Sequence, residues 1–166
     1  MGTYTGISEA IEWCETAAAN GSASSQCDLG DCYRDGDGVE QSFAEAVRWY
    51  QVATKQGSAR AQYELGRCYL NGNGVRKDKL EAVRHFQEAA VQGYEEAQYD
   101  LGMLYYIGNK VAKSYEKAVM WFRKAAQQGH QLAQCMLGMC YFYGTGVQQD
   151  YEEAVRWYHK AFAEEL

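Results

Sequence analysis

The sequence predicts an all-α solenoid of stacked helix-turn-helix repeats, nine helices in all, and three observations predict it. An eleven-residue phrase, LGRCYLNGNGV from Leu65 to Val75, returns from Leu29, Leu101 and Leu137, each copy 36 residues after the last without insertion or deletion. A second phrase, AVRWYQVATKQG from Ala46 to Gly57, has copies from Ala10, Ala82, Ala118 and Ala154. Pro is absent from all 166 residues, so helix ends must be set by Gly and by polar caps. Self-similarity at a fixed period of this length belongs to helical arrays whose units bury an apolar face only by stacking on a neighbour.

The second phrase occurs five times and the first four times, which gives a leading helix at 7–21 and repeats at 22–57, 58–93, 94–129 and 130–166. On a wheel of about 100° per residue, Ala61, Leu65, Cys68 and Tyr69 fall within one stripe, with Gly66 beside it. In the next helix Ala82, Phe86, Ala89 and Ala90 form another stripe, while Arg84 and Glu88 point away from it.

The loop between the two helices reads residue by residue. Gly72 ends the first helix in a left-handed conformation, Gly74 permits a further tight turn, and Val75 returns an apolar anchor to the core. Asp78 caps the second helix and Glu81 completes a capping box, a device repeated by Ser42 with Glu45 and by Asp150 with Glu153. Ser114 keeps the cap but has Lys117 in place of the acid. Lys110 stands where the other loops have their second Gly, so the third loop is expected to differ most.

Composition narrows the function. The net charge of -6 argues against general nucleic-acid binding. Acids predominate over 1–57 and 130–166, and bases slightly outnumber them over 58–129. No apolar run is long enough to span a membrane, and the first residues lack the basic and apolar regions of a signal peptide. The six cysteines, Cys14, Cys27, Cys32, Cys68, Cys135 and Cys140, contain no CxxC and read as small buried thiols in a reducing, cytoplasmic setting.

The combination LGxxYxxGxGV, an Ala/Trp/aromatic helix and a closing AAxxG resembles the Sel-one-like repeat, a relative of the tetratricopeptide repeat, from about Ser8 onward. His85 departs from the Trp of Trp13, Trp49, Trp121 and Trp157, and no Pro follows the loop Val. The resemblance implies a right-handed α/α superhelix whose first helices line a concave face. It also implies an adaptor role, holding other proteins or peptides, without enzymatic activity. Secreted members of that family pair cysteines within each repeat, a pairing this sequence lacks.

Candidate chemistry is sparse. Ser114 to Lys117 is an S-x-x-K, the nucleophile motif of penicillin-recognising serine enzymes, but its companions S-D-N and K-T-G are missing. The positions equivalent to Ser114 are helix caps, so a serine hydrolase centred on it is the alternative reading and capping the preferred one. Asp31 to Ser42 fails two positions of a calcium loop, and His85, His130 and His159 lack ligand spacing, so neither metal nor cofactor is expected.

What remains is the side of each first helix opposite its apolar stripe. In repeat 2 that side carries Arg60, Tyr63, Arg67, Leu70 and Asn71, and in repeat 1 Ser24, Cys27, Asp31, Arg34 and Asp35. In repeat 3 it carries Tyr99, Met103 and Tyr106, and in repeat 4 Met139, Phe142 and Tyr143, with Glu96, Ile107, Leu132 and Cys135 beside them. Arg60 and Arg67 are expected to take a carboxylate, and the aromatic and Met side chains to take apolar anchors of a peptide or protein partner. The leading helix and the last helix also leave faces through which copies of the chain could associate.

Overall fold

The computed structural model describes residues 4–108 and 111–163, apart from the side chains of 4–10. Among the described residues there are nine α-helices and no strand. They are α1 (Tyr4–Ala19), α2 (Ala23–Asp35), α3 (Phe43–Lys55), α4 (Ala59–Asn71), α5 (Lys79–Val91), α6 (Glu95–Ile107), α7 (Tyr115–Gln127), α8 (Gln131–Tyr143) and α9 (Tyr151–Phe162). None is long and apolar enough to cross a membrane. The chain divides into two compact units, Met1–His85 and Phe86–Leu166.

In the first unit α2 packs on α1 and α3, and α3 on α4. Its core joins Cys27, Ala46, Val47, Tyr50, Ala53, Ala61, Leu65 and Cys68, with Tyr69 and Val75 laid against them. His85 is buried and stacks on Tyr69, ring centroids 5.5 Å apart. In the second unit α6 packs on α7, α7 on α8, and α8 on α9. Its core is Ala118, Val119, Phe122, Ala125, Ala126, Ala133, Leu137, Cys140 and Trp157.

Small residues set the helix spacing. A Cβ on Gly102 would lie 2.6 Å from the ring of Phe122, and one on Gly138 would lie 2.8 Å from that of Tyr158. The aromatic ring of the second helix therefore rests on the bare backbone of the first. The loop uses the same economy. Gly72 has φ 83° and donates its N–H to Cys68 O at 2.8 Å, satisfying a carbonyl the helix would otherwise orphan. A Cβ on Gly146 would fall 2.5 Å from the carbonyl carbon of Tyr115, so this loop lies directly on the start of the previous second helix. Lys110, the expected point of departure in the third loop, lies outside the described residues.

The caps hold but the boxes do not close. Oγ of Ser42 accepts from Glu45 N at 3.3 Å, and Oδ1 of Asp150 from Glu153 N at 3.0 Å. Oδ1 of Asp78 accepts from Leu80 N and Glu81 N. The acids expected to reach back instead pair one turn on: Glu45 with Arg48, Glu81 with Arg84, Glu153 with Arg156. The reason is that the N–H they would have served is already taken. Ser42 N, Asp78 N, Ser114 N and Asp150 N donate to the carbonyls of Tyr33, Tyr69, Tyr105 and Tyr141 at 2.8 to 3.0 Å. The recurrent Tyr of the first helix thus fastens the loop with its backbone.

Candidate interaction surface

In the first unit the outward residues of α2 and α4 close on one another. Arg34 Nη1 donates to Asp31 at 2.7 Å, to Glu64 at 3.1 Å and to the Tyr50 hydroxyl at 3.3 Å. Its Nε and Nη2 grip Asp35 at 2.8 and 2.6 Å. The Tyr50 hydroxyl donates in turn to Asp31 at 2.7 Å. Arg60 reaches from α4 to Asp28 at 2.5 Å and to Asp31. The acids of repeat 1 and Arg60 of repeat 2 therefore pair with each other at a partly exposed surface, and the Arg60 guanidinium is engaged on α2.

The electrostatics follow from that arrangement. The hydrogen bond from Arg34 holds the Asp35 carboxyl below the usual carboxylate range. Burial pushes Glu64 up, against the opposing pull of Arg67 and Arg34. Burial and the bond to Asp31 push the Tyr50 phenol well above its ordinary value. Arg67 differs from Arg60: about half exposed, it meets Glu64 only at 3.4 Å and sits 5.9 Å from the ring centroid of Tyr63. Tyr63 and Leu70 are half-buried and Asn71 is exposed.

The second unit presents a different surface. Tyr99 is half-buried, stacked on His130 at 4.7 Å, and Tyr106 meets Tyr115 edge-on at 5.2 Å. Both, with Met103, lie against the core and form the floor of the face. Met139, Phe142 and Tyr143 stand out from α8, and Phe142 meets Tyr143 and Tyr151 edge-on at 4.9 and 5.3 Å. Phe142 is 43% and Tyr143 68% exposed, too much for core packing to explain. Leu132 and Ile107 are exposed as well.

Cys27 was expected outward with Asp31 and Arg34 but is 1% exposed. Because α2 packs on helices to both sides, its apolar arc is wider than a single stripe. Burial pushes the Cys27 thiol up to about 12 and those of Cys68 and Cys140 to about 11. All six cysteines are free.

Ser114 caps α7. Its Oγ accepts from Lys117 N at 3.3 Å and donates to the Glu116 carboxylate at 3.0 Å, while the Lys117 ammonium lies over the Tyr105 ring. The Ser114 hydroxyl is thus held by Glu116 and not by Lys117, the group an S-x-x-K nucleophile would be set against. Among the described residues no group of three His, Cys, Asp or Glu could hold a metal ion.

One recurrent residue escapes the sequence reading. Gln26, Gln62, Gln98 and Gln134 occupy one repeat position and all are buried. Gln26 donates to Ala18 O, Gln98 to Ala90 O and Gln134 to Ala126 O, at 3.0 to 3.2 Å. Gln56 and Gln128 then donate to the Oε1 of Gln26 and Gln98. A polar residue repeated at the 36-residue period beside an apolar stripe is the signal that marks it.

The family model of the Sel1 repeat, the Sel-one-like repeat named above, matches residues 5–22, 23–58, 59–94, 95–130 and 131–164. A solved protective antigen present in uropathogenic Escherichia coli strains, with an SLR fold, is 39% identical with TM-score 0.87 over 93% of this chain and 33% of that one. A Sel1 repeat protein from Oxalobacter formigenes is 37% identical with TM-score 0.92 over 96% of this chain and 46% of that one. The chain thus spans a third to under half of their lengths. The cysteine-rich protein B of Helicobacter pylori shares the fold at 22% identity and TM-score 0.59, over 75% of this chain and 90% of that one. No curated protein matches the sequence.

Proposed function

The chain belongs to the Sel1 repeat family, whose members are generally protein-interaction scaffolds, and from that premise we propose that it is a non-enzymatic adaptor holding a protein or peptide partner on its first-helix faces. The observation that carries the proposal is the cluster of Met139, Phe142 and Tyr143, exposed on α8 over the half-buried floor of Tyr99, Met103 and Tyr106. Aromatic and Met side chains on a rigid helix supply large contact area at low entropic cost, the composition of interface anchors. The residues that build each repeat recur along the chain, whereas these positions differ from repeat to repeat, as specificity requires. In the first unit Arg67, with Tyr63, Leu70 and Asn71 around it, is the matching polar position and takes a carboxylate, while Arg60 serves the ionic cluster. The free thiols suit a reducing compartment, the setting we assign to this adaptor.

A peptide-display selection against the full chain tests the reading. Selected peptides are expected to lose at least about tenfold in affinity for Phe142→Ser or Tyr143→Ser. They should bind Leu80→Ser unchanged, since that exposed residue lies on a second helix. Equal binding to all three variants would remove the α8 face from the proposal.

A further inference from the structure

The outer face of α7 carries a charge pattern that its counterparts do not. In α3, α5 and α9 that face begins with an acid paired to an arginine one turn on, Glu45 with Arg48, Glu81 with Arg84 and Glu153 with Arg156. The same two positions in α7 are Lys117 and Met120. At about 100° per residue Lys117, Met120, Arg123 and Lys124 share an arc of about 120°, and all four are exposed. Lys117 lies over the Tyr105 ring, Lys124 lies 4.5 Å from the ring centroid of Trp121, and Arg123 donates to the Tyr141 hydroxyl at 2.7 Å. Each cation thus rests on an aromatic side chain, and among the described residues none of the three pairs with a carboxylate. Glu116, the one acid on this arc, accepts from Ser114 Oγ at 3.0 Å.

Beside these cations the loop after α8 builds a seat. Val119, Met120 and Val147 line a concavity of 300 Å³ together with Arg123, Lys124 and Glu116. That volume is at the foot of the roughly 300–1,000 Å³ range of small-molecule pockets, and its cationic walls are exposed. It therefore suits a side chain of a polypeptide and not an enclosed cofactor. Cations without carboxylates beside an apolar seat recognise an acidic residue that neighbours an apolar one. The chain's own charge restricts the occupant further. It is -6 overall, and α9, in the same unit, begins with Glu152 and Glu153. A long polyanion or an anionic bilayer would meet those acids, whereas a short acidic segment confined to α7 would not.

We propose that the outer face of α7 is a second docking surface, separate from the first-helix faces, for an acidic segment of a partner protein. Carboxylates of that segment meet Lys117, Arg123 and Lys124, and one of its apolar side chains enters the concavity between Met120 and Val147.

Peptide display at low salt against the full chain carrying Phe142→Ser and Tyr143→Ser tests this apart from the α8 face. Enriched peptides are expected to hold several Asp or Glu around an apolar residue, and to bind at least about tenfold more weakly in about 0.5 M salt. Lys117→Glu with Met120→Arg gives α7 the ion pair that α3, α5 and α9 already carry, so the fold accommodates it. That double variant should weaken the peptides at least about tenfold, and so should Arg123→Gln with Lys124→Gln. Arg48→Gln, on α3 at the position of Met120, should leave them unchanged. No enrichment, enriched peptides without an excess of acid, or acidic peptides indifferent to both double variants would overturn the proposal. So would binding to phosphatidylserine vesicles in place of peptides, abolished by the same variants, because the face would then serve a membrane. A double variant that loses helicity is replaced by Lys124→Gln alone, for which at least about threefold weaker binding is expected and unchanged binding counts against the assignment.

Discussion

Gln98 donates its side-chain amide to the carbonyl oxygen of Ala90 at 3.0 Å, out of contact with water and eight residues back along the chain. Its own Oε1 accepts from Gln128 at 2.8 Å, so one side chain satisfies the end of α5 and takes a donor from the end of α7. Gln134 makes the equivalent bond to Ala126 O, but its Oε1 has no partner among the described residues. Gln98→Leu is therefore expected to cost ~1–3 kcal/mol and Gln134→Leu ~1 kcal/mol or less, since the first loses two hydrogen bonds and the second one, each worth ~0.5–1.5 kcal/mol, while Ala90 O and Ala126 O keep the bonds from Gly93 N and Gly129 N. Urea unfolding measures both, and a Gln134 loss as large as that of Gln98 would count against this account.

Gly102→Ala should be destabilising although Ala is the better helix former by ~1 kcal/mol. The added methyl would lie 2.6 Å from the Phe122 ring, which is itself fully buried and has nowhere to move. A net loss of ~1–3 kcal/mol is expected. Phe122→Leu should relieve part of it in a double-mutant cycle, and strict additivity of the two changes would show that the contact is not responsible.

Glu64 gives stability a pH dependence of definite sign. Burial raises its carboxyl above the ordinary range despite Arg34, Arg67 and Arg60, with Asp31 adding to the rise. A raised carboxyl favours the folded state while protonated. That contribution is complete below its unfolded value of about 4.3 and is lost as pH rises through the folded value. Glu64→Gln removes the dependence, so the stability difference should move in favour of the variant between about pH 4 and pH 7. Parallel stability profiles for the two proteins would contradict it.

Ser114→Ala should behave as a lost helix cap, costing ~1 kcal/mol, with Ser114→Asp close to neutral because Asp150 does the same work in α9. Neither wild type nor variant should be labelled by a fluorescent penicillin. Labelling of wild type alone would restore the hydrolase reading.

The fold was legible because its determinants are local. Leu65, Gly66, Tyr69, Gly72 and Val75 define a helix, its end and its return at short spacing, and copies in register confirm one another. The ion cluster was not, because Arg60 and Asp31 lie 29 residues apart and their meeting depends on how far α4 is turned against α2. A helical wheel gives a direction and no partner. Cys27 shows the limit from the other side, since a residue at the edge of a stripe is buried or exposed according to how many neighbours its helix has. Met139, Phe142 and Tyr143 are exposed on the side of α8 that the wheel gives, with Tyr151 of α9 edge-on against Phe142.

The loop glycine Gly146 lies so close to the start of α7 that even a methyl group there would collide with backbone. The loop is thereby metered against the previous repeat as a gauge block is against its neighbour. One residue inserted between Leu137 and Ala154 would lift Gly146 off Tyr115 and pull Asp150 away from the Tyr141 carbonyl. Such a chain changes length only by gaining or losing whole 36-residue blocks, while its surface residues vary one at a time. Reach and recognition can therefore evolve independently, the first by duplication and the second by point substitution.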